Sequence, residues 1–155
     1  MADGRVPAGH AGLAVTPDGD PPDFTERRIE SAVRYRGRML QVCEDEVRLP
    51  DGAQARREYV VHPGAAVILP VFDDWSVLLE YQFRYPVGRH FYELPAGKFE
   101  VGEPPIETAR RELLEETGYS AVEWARICTI HPCVGYSDER AELFLARGLS
   151  QTARN

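Results

Sequence analysis

Apolar and polar positions begin to follow a period only from Ile29 onward; ahead of it, residues 1–25 mix Gly, Pro, Asp and Ala without any repeat. That composition predicts a disordered tail in which His10 is simply solvated. Met39 to Leu49 and Gln54 to Val61 then flank Pro50-Asp51-Gly52, a strong turn signal, and predict a β-hairpin over 38–61. Pro63-Gly64 breaks the pattern, and AAVILPVF over 65–72 reads as a buried strand. Asp73-Asp74 predicts a turn, Val77 to Phe83 a strand, Tyr85-Pro86-Val87-Gly88 a loop and Phe91 to Leu94 a short strand. Pro95-Ala96-Gly97 turns the chain again. Helical spacing follows in Ile106, Ala109, Leu113 and Thr117, which should face a sheet. Pro104 and Pro105 suit the first turn of that helix and Gly118 its end. Trp124 to Ile130 and Ala141 to Ala146 complete the set as strands. Many strands around one central helix predict a mixed α/β sandwich in a single domain over 26–155.

Composition narrows the partners. The 155 residues are 43% hydrophobic and 28% charged, enough for a real core. A net charge of −7 without a basic stripe argues against a nucleic-acid backbone as partner. It leaves a phosphate substrate open, because metal ions bridge an acidic protein to an acidic ligand. No apolar run reaches the ~18 residues of a membrane span, and no secretory signal is present. Three cysteines without a CxxC pair predict a reduced, cytoplasmic chain. Cys128, His131 and Cys133 lie close in sequence but lack a fourth zinc ligand. For His62 a turn-stabilising hydrogen bond is the expected role.

The candidate chemistry is concentrated in GKFEVGEPPIETARRELLEETGY, residues 97–119. Glu112, Glu115 and Glu116 fall three and four apart on the predicted helix, so their carboxylates project toward one side. Like charges so placed repel and weaken an isolated helix, whereas a divalent cation removes the repulsion. Hard oxygen ligands on a rigid element suit Mg²⁺ or Mn²⁺. A solvated acidic face is the alternative for a charge run taken alone.

The stretch resembles, at every defined position, the box of the Nudix hydrolases: Gly97, Glu103 after five residues, then after seven more Arg111-Glu112, an aliphatic, any residue, Glu115-Glu116, any residue, Gly118 and Tyr119. The resemblance implies the Nudix α-β-α sandwich with a mixed sheet. It also implies hydrolysis of a nucleoside diphosphate linked to another moiety, with water attacking phosphorus. Glu112 and Glu116 would ligate metal directly, the carbonyl of Ala96 would add a ligand, and Glu115 would support a metal or its water. Arg111 resembles an orienting residue for the carboxylates, and Glu103 either its partner or a helix cap; a purely structural role is the alternative for both. Gly97 would supply an unusual backbone angle or a close approach to the phosphates.

The flanks Arg57-Glu58, His62-Pro63-Gly64, Gln82-Phe83-Arg84-Tyr85-Pro86, Glu93-Leu94-Pro95-Ala96-Gly97 and Gly135-Tyr136-Ser137-Asp138-Glu139 resemble the ADP-ribose pyrophosphatase subgroup. That likeness implies that Arg57 and Glu58 hold the adenine end, often across a homodimer made by exchanging N-terminal hairpins. Arg84 resembles a phosphate-binding arginine, with a surface charge beside an aromatic as the alternative. Glu139 is the acidic candidate outside the box for metal or water contact, with a plain loop carboxylate as the alternative.

Two departures qualify the resemblance. Val134 stands where the subgroup usually has a proline about fifteen residues beyond the box. The chain also stops at Asn155, before the subgroup's catalytic glutamate loop and C-terminal helix, which leaves an expected bare sheet face. The reading is therefore a Mg²⁺-dependent pyrophosphohydrolase of ADP-ribose or a related nucleoside diphosphate sugar. The alternatives are a truncated, catalytically weak nucleotide-binding domain, or hydrolysis of another substrate such as GDP-mannose or a dinucleoside polyphosphate.

Overall fold

The computed structural model describes residues 22–152. The tail expected over 1–25 lies outside the described residues as far as residue 21. Nine strands and one α-helix follow in the order β1 (Arg27–Arg36), β2 (Gln41–Arg48), β3 (Gln54–Val61), β4 (Ala65–Pro70), β5 (Glu80–Arg84), β6 (Arg89–Glu93), β7 (Ala96–Lys98), α1 (Pro105–Thr117), β8 (Tyr119–Ile130) and β9 (Ala141–Gln151). They form a three-stranded sheet β1-β2-β3, a four-stranded sheet β7-β4-β9-β8 and the two-stranded ribbon β5-β6. The four-stranded sheet is mixed: β4 runs parallel to β9, while β7 and β8 pair antiparallel.

The core lies between this sheet and α1. Ala66 and Ile68 on β4, Ala109 and Leu113 on α1, and Phe144 and Ala146 on β9 are buried together. The expected inner stripe of the helix is present at Ala109 and Leu113, with Ile106 packed partly against it. Thr108 is also fully buried, because its hydroxyl donates to Glu103 Oε2 at 2.7 Å and so has a partner out of water. Pro104 caps the helix, Pro105 opens it, and Gly118 closes it at φ 74° with its N–H on Leu114 O at 2.9 Å.

Two elements are additions to the expected set. β1 (RRIESAVRYR) is strongly charged and lacks clean alternation, yet it pairs along its length with β2. β7 is only three residues long, where a simple turn is expected, and it pairs with β4. The strand expected over 77–83 is shifted to Glu80–Arg84, since Val77 forms only a single bridge to Val71. β8 and β9 both run longer than expected, with pairing carried out to Tyr119 opposite Gln151. On β8, Val122, Ile127 and Ile130 are exposed. Among the described residues no helix is long and apolar enough to cross a membrane.

A narrow seam joins the hairpin sheet to the body. Val60 N–H donates to Tyr136 O at 2.8 Å, and His62 N–H donates to Asp138 Oδ1 at 2.7 Å. His62 Nδ1 accepts from Gly64 N–H at 3.1 Å, which is the turn-stabilising role expected of it. Cys128 and Cys133 are free thiols, His131 Nδ1 lies 2.9 Å from Glu139 O, and Cys133 Sγ accepts from Tyr136 OH at 3.3 Å. The bonds of His131 and Cys133 hold the loop between β8 and β9.

Candidate active site

The acidic helix is organised by one arginine. Arg111 donates from Nε and Nη2 to the two oxygens of Glu103 at 3.1 and 3.0 Å, a forked pair that a planar guanidinium suits. Its Nη1 donates to Glu112 Oε1 at 2.6 Å and to Glu115 Oε2 at 3.1 Å. Hydrogen bonds from Arg111 and Thr108 hold the Glu103 carboxyl down to about 2, and the same acidic neighbours raise the arginine further above its already high value. Arg111 thus orients two box carboxylates, and Glu103 is its counter-charge, tied to the helix through Thr108.

Glu116 projects to the other side of this cluster. Its Oε2 accepts from Ala96 N–H at 3.0 Å. Although much of the side chain is exposed, its carboxyl end is crowded. Burial, then a hydrogen bond with Glu80, push it up to about 7, against the opposing pull of the Ala96 N–H. Glu80 escaped the sequence reading because it stands in a strand outside the box. A signal existed: Glu80, Gln82 and Arg84 alternate along β5 and so share one face, while on the other face Tyr81 stacks on His90 and packs against Tyr92 of β6, and Phe83 meets His90 edge-on.

The unusual backbone angle expected as one role of Gly97 is not found. Its φ is not positive. A Cβ placed there would meet Glu112 Cδ at 1.8 Å and Oε1 at 2.0 Å, so the close approach is to a box carboxylate. β7 holds Gly97 opposite Ala66 and Ala96 opposite Val67, which fixes this cradle to the core strand β4.

Arg84 donates from Nε to Glu93 Oε1 at 2.8 Å and makes a second contact from Nη2 to Oε2. It also lies within the electrostatic reach of Glu116 and Glu80, which places it beside the box. Arg57 is on the hairpin sheet, where a forked pair to Glu26 at 2.9 and 2.5 Å engages it. Glu58 is exposed on the same strand, opposite Glu44. The Glu139 carboxylate lies 3.9 Å from His62 Nδ1. The structure therefore brings Ala96, Gly97, Glu112, Glu115, Glu116 and Arg84 together, while the contacts of Arg57 and Glu139 are made away from the box.

The donor set fits a hard divalent cation. All its side-chain groups are carboxylates, the glycine cradle leaves space where a Cβ would intrude, and one buried carboxylate oxygen, Glu80 Oε1, has no hydrogen-bond donor. Among the described residues no three His, Cys, Asp or Glu side chains are already drawn together around one point. Arg111 accounts for this, since it holds Glu112 and Glu115 on its own guanidinium.

Residues 61–150 match the NUDIX domain family. The chain belongs to the Nudix family. The matched span runs from the end of β3 nearly to the end of β9 and contains the whole box. An ADP-ribose pyrophosphatase of Bacillus subtilis (strain 168) is 41% identical over 125 residues, 81% of this chain and 68% of that protein. A methanol dehydrogenase activator of Bacillus methanolicus is 37% identical, over 83% of this chain and 69% of its own length. An ADP-ribose pyrophosphatase of Mycobacterium tuberculosis is 39% identical over 81% of this chain, which spans 61% of that relative. A crystal structure of an ADP compounds hydrolase superposes with a TM-score of 0.76 at 19% identity, covering 87% of this chain and 74% of the other. The Nudix fold expected from the box is thus the fold observed, and the chain is a Nudix hydrolase.

Proposed function

We propose that this Nudix hydrolase cleaves the diphosphate of ADP-ribose or a related nucleoside diphosphate sugar, giving AMP and ribose 5-phosphate from ADP-ribose. The observation that carries the proposal is the placement of Glu112 and Glu115 on Arg111, with Glu116 held beside them by Ala96 N–H and Arg84 within electrostatic reach of Glu116. Two of the relatives bear the name ADP-ribose pyrophosphatase, which favours this substrate class.

In this reading Glu112, Glu116 and the Ala96 carbonyl hold Mg²⁺ or Mn²⁺, with Glu115 supporting. When bound, the cation neutralises the diphosphate and activates water. Every other task belongs to the chain. Arg84 exchanges Glu93 for a phosphate oxygen, and its planar fork suits either partner. Arg57 and Glu58 take the adenine end once Arg57 leaves Glu26. Glu139 contacts the attacking water. Water adds to phosphorus, the bridging P–O bond breaks, and the oxygen that leaves takes a proton. Three free cysteines among the described residues agree with a reduced cytoplasmic compartment.

A panel of nucleoside diphosphate derivatives, including ADP-ribose, GDP-mannose and dinucleoside polyphosphates, tests the reading with Mg²⁺ and chromatography of products. ADP-ribose turnover that falls by at least about 100-fold in Glu116→Gln is the expected result. Turnover unchanged in that variant removes Glu116 from the metal set. Nucleotide binding without hydrolysis of any member of the panel replaces the enzyme reading with a binding domain.

A further inference from the structure

We propose that Glu80, on β5 and outside the box, is a further ligand of the cation held by Glu116. This rests on the metal-dependent reading above and adds a residue from a different element to it. The geometry comes first. Glu80 and Glu116 face the same cleft, one from β5 and the other from α1. Ionised carboxylates only accept, so a cation is a partner that two of them in one cleft can share. Glu80 Oε2 is already oriented by Gln82 Nε2, whereas Oε1 is buried and receives no donor. A buried carboxylate oxygen without a partner is costly, and coordination to a cation removes that cost.

The surroundings support a built position rather than a chance encounter. Glu80, Gln82 and Glu116, with Leu78 and Thr117, line one open cleft of about 380 Å³. Strand pairing fixes the β5 side: Glu80 stands opposite Glu93, and Gln82 opposite Phe91. The helix side is fixed by burial of Leu113, one turn before Glu116. Both carboxylates therefore reach the cleft from rigid elements, which is what a hard cation with narrow geometric tolerance requires. Arg84, two positions beyond Gln82 on the same face, is correspondingly placed to meet a phosphate beside that cation.

The test is a Mn²⁺ titration of the purified chain without substrate, read by the electron paramagnetic resonance signal of free Mn²⁺. Wild type, Glu80→Gln, Glu80→Val and Glu116→Gln are compared, with circular dichroism melts confirming that each is folded. Loss of Mn²⁺ affinity by about 10-fold or more in both Glu80 variants, alongside a loss in Glu116→Gln, is the expected outcome. The valine variant carries the test if the glutamine variant fails to fold. Wild-type affinity in the Glu80 variants with loss only in Glu116→Gln overturns the role of Glu80 and leaves the metal platform standing. Absence of Mn²⁺ binding by the wild type overturns both.

Discussion

At the scale of single residues, the site depends on a glycine and on two carboxyls displaced in opposite directions. Gly97 makes room for Glu112, so Gly97→Ala should push the carboxylate out of its cradle. Because the displaced atoms end a flexible side chain, stability should change little, while Mn²⁺ affinity should fall by about 10-fold or more. Calorimetric metal titration beside a thermal melt separates the two effects; unchanged affinity would show that the cradle is not needed. The carboxyls give a pH signature. Glu103, held at about 2 by Arg111 and Thr108 against an ordinary 4.5, stabilises the fold fully above about pH 4.5, and that contribution is lost as pH falls through about 2. Glu116 has the opposite sign. Raised from 4.5 to about 7, it favours the fold while protonated, and this advantage disappears as pH rises from about 4.5 through 7. In chelator, melting midpoints of the wild type should therefore drop relative to Glu116→Gln between pH 5 and pH 8. Parallel curves would contradict the raised carboxyl. The box residues were legible because their spacing is diagnostic on a helix; Glu80 was not, because it shares a cleft with Glu116 only in the folded chain.

Elements were legible where periodicity and punctuation agreed. The hairpin was marked by Pro50-Asp51-Gly52, and α1 by paired prolines at its start and Gly118 at its end. β1 was hidden by its charge, since an edge strand with mostly exposed residues needs no apolar stripe to pair. β9 was expected only over Ala141 to Ala146, yet pairing with β8 runs on past Gly148 at φ 63°. The anchoring of α1 makes its own prediction. Leu113 is fully buried beside Ile68 and Phe144, so Leu113→Ala should cost about 3 kcal/mol through lost burial and an unfilled cavity. Urea denaturation measures it, and a loss below about 1 kcal/mol would mean that the helix is not fixed by this contact.

At the scale of the whole molecule, the proposed adenine residues Arg57 and Glu58 stand on the hairpin sheet and the proposed metal residues on α1 and β7, the two parts joined by the Val60–Tyr136 and His62–Asp138 contacts. The hairpin sheet leaves Ile29, Val33, Tyr35, Met39 and Leu40 exposed. A homodimer that covers these side chains should sediment as two chains at micromolar concentration, and charged substitutions at Val33 and Tyr35 should shift it to monomer. Sedimentation of the wild type as monomer alone would remove the hairpin-exchange reading. Arg111 has a consequence for the order of events in the life of the molecule. Arg111 already neutralises part of the acidic helix, so the chain should reach its fold without a divalent ion. Loading of the proposed cation should then follow folding, and a chelated preparation should still melt as a folded protein.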